Sequence, residues 1–376
     1  MPADVDFPLA LSNHALRHSG GFERYAMTLV RGLHALGIRP TFIAKSFDEE
    51  LPEYDWVTPV RLRMTGVPGK LRDLWFDRGI GRVKRRSAIG PLIACNPTRW
   101  ADIAVCGGTH PGYLAAMGLR TRLSDRWKIA LERAHYERSQ IIVAHSAKMR
   151  AEIIAYYGAD PAKVVLLYPP CDTDRFHPVD AAAHAELRQA LGLPNDRAIF
   201  LLASTGHARK GLDALAEFFS RTTLPVTLVV AGRPPQRQHT NVRYLGYRTD
   251  IENVYRAVDF TVMASAYEPF GLVGVESVLC GTPVLLAQGV GCVEVIRGPA
   301  VHEYDGTSPT ALAHAVQAAV QQWQAGTHRL REPLRCLAYD PRVATHVEAL
   351  LALARTLSTA TSTNAGTCPA KALPPS

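Results

Sequence analysis

The sequence predicts an α/β protein with two domains of similar size, each built on a parallel sheet with helices on both faces. Three observations lead to this class. Short apolar runs alternate along the chain with stretches of helical periodicity. The 376 residues correspond to two or three domains at about 150 residues per domain. Residues 168–178 contain three prolines, which interrupt regular structure and mark a linker between the halves.

In the first half, residues 7–11 are predicted to form a short strand, and residues 22–36 a helix whose apolar side chains share one face. Gly37 follows as a helix cap. Further predicted elements are strands at 40–44, 60–63, 103–106, 141–144 and 164–167 and a helix at 123–139. This half is assigned as domain 1–170.

The second half is assigned as domain 171–355. It begins with a predicted helix at 181–191. Strands are predicted at 198–203, 226–231, 242–245, 259–263 and 283–286. The Ser/Thr/Ala/Pro-rich segment 356–376 is predicted to be a disordered tail.

Composition limits the class of protein. Hydrophobic residues make up 47% and charged residues 20%, which is typical of a folded globular chain. No stretch has the ~18 apolar residues of a membrane span, and the start lacks the pattern of a secretory signal. Seven scattered cysteines without a CxxC pair favour a reduced, cytoplasmic location. The net charge of +8 favours anionic partners.

The strongest motif is the segment 268–276, which follows a predicted strand and turns into a helix near Gly271. Free N–H groups at a helix start attract phosphate. A carboxylate repels a diphosphate, so Glu268 and Glu276 are expected to face hydroxyl groups instead. The alternative is a capping carboxylate and a solvated helix glutamate.

A second motif, Arg209-Lys210-Gly211, follows the strand at 198–203, where open α/β sheets bind ligands. Arginine and lysine both suit phosphate oxygens, although a solvated basic turn remains the alternative. In the other half, Ser19-Gly20-Gly21 precedes the first helix and lets the backbone approach a ligand closely, unless it is an ordinary tight turn.

A fourth motif, the glycine-rich loop 106–113, follows the strand at 103–106. It carries His110, which can donate a hydrogen bond to a hydroxyl or phosphate or can be a solvated loop histidine. Two motifs lie in each half, and each follows a strand. Facing domains bring all four into one cleft.

With these motifs the chain resembles the retaining glycosyltransferases of family 4, which have the GT-B fold of two Rossmann-like domains facing across a cleft. The resemblance rests on the E-x7-E spacing of Glu268 and Glu276, on Arg209-Lys210-Gly211 and on Ser19-Gly20-Gly21, and covers about residues 7–350. Segments 20–24, 132–137, 167–170 and 209–213 are most similar to lipopolysaccharide core glycosyltransferases.

The resemblance implies a role for each site residue. Arg209, Lys210 and the backbone amides of Gly271, Leu272 and Val273 hold the diphosphate of a nucleotide-sugar donor. Glu276 binds the ribose, and Glu268 contacts the donor sugar. The donor site is completed by Gly20 and Gly21, which close on the phosphates from the other domain, and by Tyr247 and Arg248 near the base. His110 falls near the family's acceptor-side histidine loop, which implies a catalytic or acceptor-binding residue.

The resemblance also implies a hexosyltransferase that uses a nucleotide-sugar, with UDP the commonest carrier, and a lipopolysaccharide core or O-chain acceptor. No Asp-x-Asp occurs at the end of a predicted strand in either half, so no metal or other cofactor is expected, and the basic pair takes the metal's place. A basic tract at 70–86, with Trp75 and Phe76, predicts peripheral contact with an anionic membrane, unless it is a solvated surface.

Two other functions stay open at this point. One is a GT-B-like nucleotide-sugar epimerase, which needs a donor but no acceptor. The other is a non-catalytic protein that binds a nucleotide or polyanion. No aromatic-rich basic stripe marks a nucleic-acid platform, so nucleic acid is not expected as a partner.

Overall fold

The computed structural model describes residues 7–87, 89–234 and 237–365, except the side chains of Lys70 and of residues 359–365. The first half contains, in chain order, β1 (Ala10–Ser12), β2 (Ala15–Leu16), α1 (Gly21–Ala35), β3 (Thr41–Ala44), β4 (Ser46–Phe47), α2 (Pro52–Asp55), β5 (Thr58–Arg61), α3 (Arg72–Arg86), β6 (Leu92–Ala94), β7 (Ile103–Cys106), α4 (His110–Ala116), α5 (Leu123–Arg138), β8 (Ile141–Ala144), α6 (Ala147–Tyr157) and β9 (Val164–Leu166).

The second half continues with α7 (Ala181–Ala190), β10 (Ala198–Ser204), α8 (His207–Lys210), α9 (Leu212–Arg221), β11 (Val226–Gly232), β12 (Val242–Gly246), α10 (Ile251–Ala257), β13 (Phe260–Met263), α11 (Leu272–Leu279), β14 (Val284–Ala287), β15 (Val301–Tyr304), α12 (Pro309–Gln324) and α13 (Val343–Ala365). Short 3₁₀ turns lie at Gly69–Leu71, Pro161–Lys163, Gly291–Glu294, Gly298–Ala300 and Pro333–Cys336.

These elements form two lobes, each with its own parallel sheet. Over the described residues the first sheet has the order β5-β3-β1-β6-β7-β8-β9, and the second has the order β12-β11-β10-β13-β14-β15. Nearly every residue of β10 and β11 is buried, as expected for parallel strands covered on both faces. The predicted α/β class with two parallel-sheet domains is confirmed.

The predicted linker falls between β9 and α7, but the last helix departs from the predicted domain division. α13 returns to the first lobe and packs on α1, burying an apolar stripe that includes Val347, Leu350, Leu351 and Ala354. It also continues to Ala365, so residues 356–365 are helical rather than part of a disordered tail. The remainder of that predicted tail, residues 366–376, lies outside the described residues, as do residues 1–6.

The basic tract at 70–86 forms α3, on which Trp75 and five cations are exposed: Arg72, Arg78, Arg82, Arg85 and Arg86. Phe76, in contrast, is buried in the lobe. Lys84 donates to Asp102 and to the carbonyl oxygen of Trp100, and the Arg85 guanidinium lies 4.9 Å from the Trp100 ring. Lys84 and Arg85 therefore stabilise the lobe itself. Among the described residues, no helix combines the length and apolar character needed to cross a bilayer.

Candidate active site

A cleft of about 440 Å³ lies between the two lobes. It is bordered by the ends of β10 and β11 from the second lobe and by the loop before α1 from the first. All the predicted site residues except His110 line it: Gly20, Gly21, Arg209, Lys210, Tyr247, Arg248, Glu268, Gly271, Leu272, Val273 and Glu276. The structure therefore brings three of the four motifs together, and of the fourth, the loop 106–113, Gly107 also lines the cleft.

Two helix starts border this cleft. α11 begins directly after Gly271, whose φ of +92° is a left-handed conformation that glycine adopts without strain. The N–H groups of Leu272 and Val273 lie in the first turn, where no partner exists within the helix. α1 begins at Gly21 on the opposite wall. Both helix ends carry partial positive charge, which favours an anion between them.

Glu268 holds the basic pair beside the start of α11. Its Oε2 accepts hydrogen bonds from Lys210 Nζ at 2.7 Å and from Arg209 Nη1 at 2.9 Å. Burial acts to raise the pKa of Glu268, but the charges of Lys210 and Arg209 outweigh it and hold the pKa below its ordinary value. Because arginine has five N–H donors and lysine three, both cations retain donors for a further anionic ligand.

Glu276, on α11, also lines the cleft and is only 2% exposed. Its Oε1 accepts a hydrogen bond from Arg24 of α1, and its Oε2 accepts one from the Tyr255 hydroxyl at 3.1 Å. The charge of Glu276 raises the pKa of Arg24 above its ordinary value. Arg24 and Glu276 thus form an ion pair across the two lobes, and a carboxylate with spare lone pairs faces the cleft.

The far end of the cleft is polar and open. Tyr247 is 73% exposed, and Arg248 forms two hydrogen bonds with Asp250, at 2.8 and 2.7 Å. Ser204 and Thr205 at the end of β10 and Gly232 at the end of β11 complete this end.

The lobes are closed on each other by direct hydrogen bonds. The Tyr267 hydroxyl accepts from the Thr109 amide at 2.9 Å and donates to Glu152 at 2.8 Å. Ser146 Oγ donates to the carbonyl oxygen of Pro269 at 2.7 Å, and Lys148 Nζ donates to that of Gly289 at 2.7 Å. These contacts fix the loop that carries Glu268 against the first lobe.

His110 is placed differently from its predicted position. It is the first residue of α4, and its Nε2 lies 2.9 Å from Asp125 Oδ1 at the start of α5. Its backbone N–H donates to Glu132 at 3.0 Å. The side chain is therefore held by α5 and does not line the cleft. Gly107 of the same loop does line the cleft. It packs so closely on the Phe22 ring that a Cβ at this position would overlap it.

Sequence reasoning assigned no role to three residues that shape the site: Arg24, Tyr255 and Tyr267. A signal for Arg24 was present, since it lies one helical turn beyond the Gly20-Gly21 pair, on a helix predicted to start at the cleft. Tyr255 and Tyr267 belong to no recognisable motif. Their contacts depend on how α10 and the 264–271 loop pack in three dimensions.

A group of buried histidines adjoins the cleft where α13 meets the first lobe. His346 Nε2 bonds the Tyr25 hydroxyl at 2.8 Å, and its Nδ1 bonds the carbonyl oxygen of Tyr168 at 2.9 Å. Burial lowers the pKa of His346 to about 4 and that of His145 to about 3. In α5, burial likewise lowers the pKa of His135 to about 4.

These three histidines predict a loss of stability in acid. Between pH 6.5 and about 4 the unfolded chain binds protons that the folded chain does not, so stability falls as the pH falls. We expect the melting temperature to decrease steadily over that interval, as measured by scanning calorimetry. The variant His346→Gln, which keeps hydrogen-bonding groups but does not titrate, should show a shallower decrease. A melting temperature that stays constant or rises from pH 6.5 to 4 would contradict this.

The arrangement suits transfer of a group from a diphosphate. Two cations and two helix starts converge on one region, where negative charge growing on a departing phosphate is stabilised. The carboxylates of Glu268 and Glu276 flank that region and can accept hydrogen bonds from neutral hydroxyl groups. The two cations and the N–H groups of the helix starts are already in position in the closed structure, so little reorganisation is needed during the reaction.

Comparison with known proteins identifies the family of the chain. A model of glycosyltransferase family 4 matches residues 19–175, and a model of glycosyl transferases group 1 matches residues 196–322. A Burkholderia thailandensis protein described as a probable transglycosylase is 45% identical over 92% of this chain and 96% of its own. A D-inositol 3-phosphate glycosyltransferase of Jonesia denitrificans is 30% identical over 84% of this chain and 85% of its own.

Solved structures show the same fold. WaaG, a glycosyltransferase involved in lipopolysaccharide biosynthesis, superposes with a TM-score of 0.72 at 17% identity, over 93% of this chain and 95% of its own. HepE of Anabaena, in complex with UDP and glucose, superposes with a TM-score of 0.72 at 16% identity, over 94% of this chain and all of its own. From these family matches and this fold, the chain belongs to the family 4 glycosyltransferases and has the GT-B fold.

Proposed function

We propose that this glycosyltransferase moves a hexose from a UDP-sugar to a glycan acceptor of the cell envelope, lipopolysaccharide core or O-chain, with retention of anomeric configuration. The observation that carries the donor assignment is the convergence of Lys210, Arg209 and the start of α11 in one closed cleft. The HepE complex with UDP and glucose supports UDP as carrier, and WaaG supports the acceptor class.

In the proposed reaction the bond between the anomeric carbon and the diphosphate oxygen breaks, and the acceptor oxygen bonds that carbon on the same face. The departing phosphate takes the acceptor's proton, so no carboxylate nucleophile is required. Lys210, Arg209 and the amides of α11 stabilise the negative charge that accumulates on the leaving group. Glu276 holds the ribose, and Glu268 holds the transferred sugar.

A thermal-shift screen with UDP-, GDP- and ADP-sugars tests the donor assignment, because a ligand of the native state raises the melting temperature. We expect UDP-sugars to give the largest shift. Labelled sugar transfer from the best donor to lipopolysaccharide preparations then tests the acceptor. Conversion of a UDP-sugar to its epimer without acceptor, or no shift with any nucleotide-sugar, would contradict the proposal.

Activity is expected to persist in chelator. Two fixed cations already face the position proposed for the diphosphate, so its charge is met by side chains. The measurement is the initial rate of transfer in EDTA against the rate with added Mg²⁺ or Mn²⁺. If activity is lost in EDTA and either ion restores it, a metal ion is needed to bind the diphosphate.

The acceptor is proposed to reach the cleft from an anionic membrane. The first lobe exposes large apolar side chains at the start of α5, with Leu123 75% and Trp127 64% exposed. Exposed cations, Arg126 and Lys128, alternate with them on the same helix. Together these four residues, which we call the α5 surface, combine apolar insertion with attraction to acidic headgroups.

Charge reversal tests the α5 surface. Each basic residue near an anionic surface contributes about 1 kcal/mol, so Arg126→Glu and Lys128→Glu should each weaken partition by about fivefold or more. The measurement is co-sedimentation with vesicles of phosphatidylglycerol and phosphatidylethanolamine. Arg335→Glu, at an exposed site of the second lobe, serves as the matched control. If all three variants bind the vesicles as well as the wild-type protein does, the α5 surface does not contact the membrane.

A further inference from the structure

Tyr267 is a residue of the second lobe whose side chain packs into the first lobe. It lies on the loop between β13 and α11 and is only 5% exposed. Its hydroxyl accepts a hydrogen bond from the Thr109 amide at 2.9 Å and donates one to Glu152 Oε2 at 2.8 Å. The hydroxyl thus uses both its donor and its acceptor capacity, and the bond to the carboxylate is the stronger of the two.

The first lobe holds this side chain in a socket formed by Thr109, Tyr113, Lys148 and Glu152, which we call the Tyr267 socket. Thr109 is the N-cap of α4, and Glu152 lies on α6. Thr109 Oγ1 donates to the same Glu152 oxygen at 2.5 Å and so joins the two helices. The Tyr267 ring lies edge-on to Tyr113, with 6.2 Å between centroids, and Lys148 Nζ lies 5.1 Å from its centroid. The socket therefore fixes both the ring and the hydroxyl.

The backbone beside this side chain holds a cation of the proposed diphosphate site. The carbonyl oxygen of Tyr267 accepts a hydrogen bond from Arg209 Nη1 at 2.8 Å, and the Ala266 amide donates to the carbonyl oxygen of Arg209 at 3.0 Å. Glu268, the next residue, accepts from Arg209 at 2.9 Å and from Lys210 at 2.7 Å. Tyr267 therefore contacts the first lobe with its side chain and a cleft cation with its backbone.

Other hydrogen bonds between the lobes do not involve these cations. The Ala147 amide donates to Glu294, and Lys148 Nζ donates to the carbonyl oxygen of Gly289, both at 2.7 Å. These bonds can keep the lobes together when the Tyr267 hydroxyl is lost. Removal of that hydroxyl should therefore loosen the loop that carries Glu268 without separating the lobes.

We propose that Tyr267 is a positioning residue of the transfer reaction: its hydroxyl, held in the Tyr267 socket, fixes Arg209 and Glu268 in the arrangement that transfer requires. This inference rests on the proposed nucleotide-sugar function. Cations stabilise a departing phosphate most when they are held in place before the reaction, and small displacements lower the rate strongly. Through Tyr267 the first lobe sets the position of charge in the second lobe.

The test is the kcat and the donor KM of sugar transfer in Tyr267→Phe, which keeps the ring but has no hydroxyl. We expect kcat to fall about tenfold, as for the loss of one hydrogen bond to a charged group. The donor KM should change by less than about threefold, because Lys210 and the α11 amides remain. Glu152→Ala removes the partner and should give a similar loss of kcat. The double variant should lose no more than the larger single loss, because both substitutions break the same bond.

Tyr304→Phe is the matched control, because its buried hydroxyl donates to the carbonyl oxygen of Met263 within the second lobe. It should transfer at the wild-type rate, and melting temperatures verify that each variant is folded. An unchanged kcat in Tyr267→Phe, or a rise in donor KM alone, would overturn the proposal. So would a double variant whose loss equals the product of the two single losses, since the two side chains would then act independently.

Hydrogen exchange of the protein without ligand tests the same inference independently of activity. The peptide 264–271 should exchange faster in Tyr267→Phe than in wild type, while the peptide 309–324 of α12 should not change. Equal exchange of 264–271 in both proteins would overturn the role of Tyr267 even if wild type transfers sugar. Failure of wild type to transfer from any UDP-, GDP- or ADP-sugar would instead refute the proposed function, and faster exchange in the variant would still show that Tyr267 holds the loop.

Discussion

Replacing Lys210 by alanine is expected to lower turnover by about 10²–10³-fold while leaving the protein folded. Lys210 is the more buried of the two cleft cations, and its Nζ lies 2.7 Å from Glu268 Oε2. In the variant, Arg209 remains 2.9 Å from the same oxygen, so the buried carboxylate keeps a partner and the loop keeps its place. The diphosphate, however, loses a fixed positive charge where its own charge grows.

The measurement is the initial rate of sugar transfer at saturating donor, beside the melting temperature. Arg221→Ala is the matched control, because Arg221 lies on the helix that follows Lys210 but pairs with Glu217 at the surface. We expect the control to transfer at the wild-type rate. Wild-type turnover in a folded Lys210→Ala variant would show that Lys210 does not stabilise the transition state.

Replacing Glu276 by glutamine is expected to raise the KM for the donor by about tenfold to a hundredfold, with a smaller effect on kcat. Hydrogen bonds to charged groups contribute about 1.5–3 kcal/mol, which corresponds to this range. In Glu276 the two carboxylate oxygens accept separately from Arg24 and Tyr255. Glutamine has a single acceptor oxygen, and its NH₂ group only donates, so one of these donors loses its acceptor. The ribose contact and the ion pair between the lobes are weakened together.

Glu217→Gln, at an exposed surface pair, is the control for the loss of one carboxylate charge. The kcat and the KM for the donor are measured separately. We expect mainly the KM to change in Glu276→Gln and mainly the kcat to change in Lys210→Ala. A donor KM within twofold of wild type in Glu276→Gln would show that Glu276 stabilises the closed lobes without binding the donor.

The sequence predicted the fold because its strands are buried on both faces. Continuous apolar runs such as those of β10 and β11 are clear in the sequence, and the turns between them carry glycine and proline. The three-residue strand β6 was missed because it is too short to show a pattern. α13 was missed because its apolar stripe runs into Ser/Thr/Ala-rich sequence and its partner, α1, lies about three hundred residues earlier.

The site was predictable where a motif joins a strand end to a helix start. Lys210, Glu268 and Gly271 meet in the cleft for that reason. His110 was predicted for the same reason, but its side chain forms a hydrogen bond with Asp125 of the next helix instead. Arg24 contributes through a contact with Glu276, which is far away in sequence, and no local pattern encodes such a contact.

The cleft between the lobes is proposed to hold the diphosphate of the donor. The decisive experiment is a crystal structure with the nucleoside diphosphate that binds most tightly in the screen. We predict phosphate oxygens within hydrogen-bonding distance of Lys210 Nζ and of the Leu272 and Val273 amides, with the ribose on Glu276. A nucleotide bound outside this cleft, or phosphates that contact neither Lys210 nor the start of α11, would contradict it.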